Sequence, residues 1–123
     1  MPLYSFEKLE IWKRAKQLST DIYTLTKHFP EEEKFGITNQ LRRSAISVSS
    51  NLAEGSTRKT SKDQARFSEI AYGSLMEALN LLILSDELGY ITTEVLMNLR
   101  KNIDELANMI NAYHKSQLRR INK

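Results

Sequence analysis

His28 and His114 are the only imidazoles in this 123-residue chain, and it contains no cysteine. Neither histidine has the company that catalysis or metal binding requires. Three residues before His114 stands Asn111, not a carboxylate, so the Glu-x-x-His pattern that holds metals inside helical bundles is missing. No arginine precedes either histidine at the spacing that helical ribonucleases use. His28, next to Phe29 and Pro30, reads as a helix C-terminal residue favoured by the macrodipole. Gly-rich phosphate loops and paired Cys or His ligands are absent from the sequence as well. Glu54 and Glu69 could meet if their helices pack, but a structural carboxylate bonded to Arg42, Arg43 or Asn51 is the simpler expectation. These residue types point away from an enzyme and imply neither cofactor nor metal.

Positive charge is the chemistry that remains. The formal net charge is +3, but it is spread unevenly. Residues 1–34 balance to zero, residues 35–66 carry +4, residues 67–110 carry −5 and the last thirteen carry +4. Arg58, Lys59, Lys62 and Arg66 make the first basic cluster, and Lys115, Arg119, Arg120 and Lys123 the second. Whether the two clusters meet depends on the elements that carry them.

Apolar spacing predicts four helices. The first shows Ile11, Ala15, Leu18, Ile22, Leu25 and Phe29, alternately four and three apart, and stops at Pro30. The second runs through Ile37, Leu41, Ala45, Val48 and Leu52, with Gly55 as its expected C-terminal stop. Beside that stripe lies a line of small or polar residues: Gln40, Ser44, Ser47, Asn51 and Glu54. The third opens at Ser61, with Gln64 three residues on as a capping box, and continues through Phe67, Ile70, Ala71, Leu75, Ala78, Leu79, Leu82 and Ile83 towards Gly89. The fourth starts at Thr92 and carries Leu96, Leu99, Ile103, Leu106, Ile110 and Tyr113. No strand-like alternation competes. Short connections make neighbouring helices antiparallel, so the expected fold is all-α, an up-down-up-down antiparallel four-helix bundle formed by residues 1–123 as a single domain.

In that topology the turn between helices two and three shares an end with the tail of helix four. The two basic clusters then gather, while Glu31, Glu32, Glu33, Asp86, Glu87 and Glu94 mark the opposite end. Part of this pattern follows from helix dipoles alone: cations suit the end of helix four, and Glu31 to Glu33 suit the start of helix two. Lys62 and Arg66 oppose the dipole at the start of helix three, so helix stability does not explain them. Two readings of the basic end stay open, a solvated surface and a polyanion site. Tyr4, Phe6 and Trp12 read as an aromatic anchor for the N-terminus, on the bundle or on a neighbouring subunit. Tyr90, beside Gly89, reads as a turn plug. None of the aromatics is interleaved with basic residues as a base-stacking platform requires.

The ordered motifs resemble a known family. Phe6-Glu7-Lys8-Leu9-Glu10-Ile11-Trp12, Phe29-Pro30-Glu31-Glu32-Glu33-Lys34-Phe35-Gly36, Gln40-Leu41-Arg42-Arg43-Ser44-Ala45, Ser50-Asn51-Leu52-Ala53-Glu54-Gly55 and Asp86-Glu87-Leu88-Gly89-Tyr90-Ile91 are similar to the 23S rRNA intervening-sequence proteins, over residues 6 to 117. Ser49 departs from a pattern that commonly places proline there. The resemblance implies a four-helix bundle assembled in rings of five. It also implies a relation to the accessory variability protein of diversity-generating retroelements, a more strongly basic pentamer that works with a reverse transcriptase and nucleic acid.

The expectation is therefore a non-enzymatic homo-oligomer, a pentamer by resemblance, whose basic end binds RNA, DNA or a nucleic-acid-processing protein. Arg58, Lys59, Lys62, Arg66, Arg119 and Arg120 would make the phosphate contacts. Arg42, Arg43, Ser44, Ser47, Asn51, Glu54 and Trp12 are the candidate structural and subunit-contact residues. The alternative is a protein-interaction or scaffold module that uses the small-residue line of helix two. The longest fully apolar run is about four residues, Leu81 to Leu84, far below the ~18 of a membrane span. With no signal-peptide pattern at Met1 to Glu7, this predicts a cytoplasmic protein without a membrane partner.

Overall fold

The first helical stretch ends at Thr26, short of the Phe29 and Pro30 where its apolar spacing placed the stop, and the chain turns through Lys27 to Pro30 and a short 3₁₀ segment at Glu31–Glu33 before the second begins. A computed structural model describes residues 1–121. Lys123, assigned above to the basic end, lies outside them. Among the described residues the elements are a 3₁₀ turn at Ser5–Lys8, then α1 (Glu10–Thr26), α2 (Ile37–Ser56), α3 (Ser61–Glu87) and α4 (Thr93–Ile121), with no strand.

Three boundary details differ from the sequence reading. The N-cap of α3 is Thr60, whose Oγ1 accepts from the Asp63 N–H at 3.1 Å. Ser61 is already helical, and Gln64 instead donates to the Arg58 carbonyl at 2.9 Å. Gly55 does not end α2. The helix continues to Ser56 because Gly55 serves a different purpose: a Cβ there would lie 2.7 Å from Cβ of Phe67. It is a point of close approach between α2 and α3, not a left-handed cap. The left-handed residue is Gly89, at φ +79, just past the end of α3.

Each helix packs on its sequence neighbours, and α1 also touches α4, so the four close into a ring around one core. Ile22, Leu41, Leu52, Leu75, Leu82, Ile103, Leu106 and Ile110 fill it, each fully buried. Side chains of this size contribute about 1.5–3 kcal/mol apiece on leaving water. Arg14 on α1 pairs with Glu105 on α4 at 2.7 Å, which places those two residues level on the antiparallel helices. From that register, α4 runs about three turns beyond the start of α1. The α2–α3 turn and the tail of α4 therefore form one projecting end.

α3 is the most apolar helix. By length and composition alone it could cross a membrane, with a mean hydropathy of 1.2 over its best window. A helix that packs on two neighbours meets the same test, and α3 lies between α2 and α4. The packing does not absorb all of its apolar surface. Ile70 and Ile83, counted above in the apolar spacing of the third helix, are 42% and 37% exposed, and Leu84, next to Ile83, is 44% exposed. Lys62, Arg66, Glu69, Glu77, Asn80 and Glu87 form a narrow exposed polar stripe on α3, and the apolar arc is wider than the side that faces the core, so residues at its margins stay exposed.

Candidate nucleic-acid interface

The α2–α3 turn is held by local hydrogen bonds. Thr57 Oγ1 donates to the Glu54 carbonyl at 2.6 Å, Thr60 caps α3, and Gln64 holds the Arg58 carbonyl. The Arg58 guanidinium lies 4.5 Å from the centre of the Phe67 ring, and Phe67 in turn rests against Gly55. Gly55 thus lets α2 and α3 approach, the approach seats Phe67, and Phe67 carries Arg58 on its face. Stacking orients the guanidinium while leaving its N–H groups to solvent. Sequence reasoning counted Phe67 only in the apolar spacing of the third helix and missed this platform. Its signal was an arginine in a turn with an aromatic about two helical turns past the following N-cap.

Ser68 Oγ donates to Gln117 Oε1 at 2.6 Å, and both side chains are buried. This bond joins the second turn of α3 to the tail of α4, so Arg119 and Arg120 stand at the same end as the α2–α3 turn. Arg58, Lys59, Lys62, Arg66, Arg119 and Arg120 are all exposed. Among the described residues the ion pairs are those of Arg14 with Glu10 and Glu105, and none involves these six cations. Asp63, Glu54 and Glu69 lie on the adjoining helices without neutralising them in a pair.

The structural candidates fall elsewhere. Arg42 Nε donates to Thr26 Oγ1 at 2.8 Å, and its guanidinium lies 4.5 Å from the centre of the Tyr23 ring, so it fastens α2 to α1. Glu54 receives no side-chain bond from Arg42 or Asn51, contrary to the sequence expectation, because each of those residues is engaged elsewhere. Asn51 Nδ2 donates to the Ser47 carbonyl and hydroxyl at 2.8 and 3.0 Å. Ser47 bonds to Ser74 of α3 at 2.8 Å, and Ser44 donates to the Leu41 carbonyl. The small-residue line of α2 is therefore largely occupied by the α2–α3 seam inside the subunit. Arg43 is exposed and borders a shallow polar groove with Asn39, Gln40 and Glu77. Trp12 is half-buried, edge-on to Phe6 at 5.0 Å, with Lys16 over its ring. The aromatic lead-in thus anchors within the subunit.

At the opposite end Tyr90 packs on Phe29 and donates to Glu33 Oε2 at 2.7 Å, which fills the turn as its position beside Gly89 suggested. That bond to the Glu33 carboxylate, with burial and the charges of Glu33 and Glu32, raises the phenol's pKa above its ordinary value. No cluster of three His, Asp or Glu side chains spaced for a metal occurs among the described residues.

Comparison with known proteins bears on all of this. The family model for the 23S rRNA-intervening sequence protein matches residues 7–112. This chain belongs to that family. The crystal structure of a protein with unknown function from the S23 ribosomal protein family of Bacteroides thetaiotaomicron superimposes with a TM-score of 0.79. It covers 85% of this chain and 98% of its own, at 22% sequence identity, so it shares the fold. No curated protein sequence matches. Membership of the 23S rRNA-intervening sequence family accounts for the bundle and leaves its activity to be argued from the surface.

Proposed function

We propose that this chain acts in the cytoplasm as a non-enzymatic, homo-oligomeric bundle, a ring of five, whose basic end binds the phosphates of RNA or DNA. The observation that carries the reading is the set of six exposed cations at one projecting end, none of them in an ion pair among the described residues. Surface cations commonly face solvent, but two of these, Lys62 and Arg66, sit in the first turns of α3 against its dipole. A family named for an intervening sequence of 23S rRNA is in keeping with it. Phosphate contacts of this kind are tolerant of sequence. Assembly is supported by large apolar side chains left exposed along α3, Ile70 near one end and Ile83 with Leu84 near the other. Parallel subunits would present several copies of Arg58, Lys59, Lys62 and Arg66 on one face, and multivalency would raise a weak single-subunit affinity by about 10²–10⁴-fold.

The test is a titration of fluorescent RNA and DNA at two salt concentrations. Wild type binds at low salt and weakens steeply as salt rises, because each neutralised phosphate releases counterions. Replacing Arg58, Lys59 and Lys62 together by Glu abolishes binding and leaves the oligomer intact, since these positions lie at a surface turn. Replacing Glu31, Glu32 and Glu33 by Gln leaves binding unchanged or slightly stronger. If wild type fails to bind, or the turn variant binds as well, the protein is a scaffold module instead.

A further inference from the structure

The two ends of the bundle are complementary in charge and are both partly apolar. At one end Glu31, Glu32, Glu87 and Glu94 are exposed, with Lys27 and Lys34 beside them, around an almost bare Phe35 (86% exposed) and Leu88 (54%). At the other, Lys59, Lys62, Arg66, Arg119 and Arg120 are exposed, as are Leu118 and Ile121 (each 42%). Glu7 and Glu10 near the start of α1, Glu54 on α2, and Asp63 and Glu69 on α3 also lie towards this basic end without forming pairs to its cations. Phe35 has no role inside the subunit beyond a distant Lys34 ammonium, 5.6 Å from its ring centre. An exposed aromatic on an end that carries four exposed glutamates fits a surface that is partly apolar and cationic. The chain itself supplies such a surface at its far end.

We propose that a second copy of this chain docks its acidic end, led by Phe35, onto the basic end of the first. The contact joins unlike surfaces, so it is head-to-tail and does not close: it adds copies along the bundle axis. It is distinct from the side-by-side ring proposed above, which relies on the exposed apolar side chains of α3. It also covers the cations assigned to phosphate, so nucleic acid and a further copy compete for one end. That last consequence rests on the nucleic-acid reading; the docking itself does not.

Sedimentation of the nucleic-acid-free protein tests it. Charge attraction is screened over about 30 Å at 0.01 M salt and about 3 Å at 1 M. Wild type is expected to form larger species at about 0.01 M that grow with protein concentration and collapse at about 1 M to the salt-resistant unit. Two variants each lose the low-salt growth: Lys59→Glu/Lys62→Glu/Arg66→Glu, and Glu31→Lys/Glu32→Lys/Glu87→Lys. Both should keep wild-type helicity and the wild-type mass at high salt, which reports on fold and ring separately. Mixed in equal amounts, the two restore association, because one now offers acidic ends and the other basic ends. Phe35→Ser weakens wild-type growth without altering charge. The proposal is overturned if wild type has the same mass at both salts, if either variant grows alone as wild type does, or if the mixture fails to associate. RNA titration at protein concentrations below the onset of growth reads the nucleic-acid function separately.

Discussion

One proton on Tyr90 ties the α3–α4 turn to the segment between α1 and α2. The phenol donates to the Glu33 carboxylate, and that bond is the main reason its pKa is raised. In the unfolded chain a tyrosine titrates near 10. The folded phenol holds its proton longer, so the stability it confers is complete below about pH 10 and is lost as pH rises through the folded value. Tyr90→Phe should lower the melting temperature at neutral pH. It should also make the melting temperature fall less steeply than in wild type as pH climbs beyond about 10, which thermal melts followed by circular dichroism would show. At the other end, Ser68→Ala removes the donor to the buried Gln117 amide oxygen and leaves that oxygen unpaired, at a cost of about 1–3 kcal/mol in chemical denaturation. These single bonds were not legible beforehand. Ser68, Gln117 and Glu33 carry no local pattern, and only the packing of distant helices joins them. Tyr90 was legible, because Gly89 forces a turn and the large side chain after it must go somewhere.

At the scale of the element, two glycines separate what sequence can and cannot show. Gly55 and Gly73 both interrupt helical stretches, and either could be taken for a weak point. The structure gives them opposite surroundings. A Cβ on Gly55 would stand 2.7 Å from Cβ of Phe67, close to that residue's backbone, where little can yield. Gly55→Ala should therefore push α2 from α3 and destabilise by about 1–3 kcal/mol, while displacing the ring beneath Arg58. A Cβ on Gly73 meets nothing within 4 Å, so Gly73→Ala should stabilise by roughly 0.5–1 kcal/mol. Denaturant midpoints of the two variants would check both signs. A loss at Gly73 would mean that another subunit's backbone approaches α3 there. The four helices were readable because their stripes hold heptad-like spacing over several turns. The exposure of Ile70 and Ile83 was not legible because the apolar arc of α3 is wider than the side that meets the core, and periodicity does not say which margin of a wide arc stays outside. The capping residue of α3 was missed by one position because Ser61 and Thr60 offer the same chemistry, and the choice is made by which backbone turns first.

For the whole molecule, the decisive feature is a dipolar bundle with basic and acidic ends. That much was present in the order of charges along the chain once alternate connections were placed at alternate ends. The platform of Phe67 under Arg58 was not, since it depends on how closely α2 and α3 approach at Gly55. Assembly belongs to this scale too. Light scattering at micromolar concentration and high salt should return about 71 kDa, five times the 14.2 kDa of one chain, and a stable monomer would contradict the ring. The central claim, that nucleic acid meets the basic end, is tested most directly by locating the contact. A photoreactive single-stranded oligonucleotide would be crosslinked to the protein at low salt and the modified peptides identified by mass spectrometry. Crosslinks confined to the α2–α3 turn and the tail of α4, with Arg58, Lys59 and Lys62 in the modified peptides, are the predicted result. Crosslinks centred on Glu31 to Phe35 and Glu87 to Glu94, or none above a protein of matched charge, would contradict it.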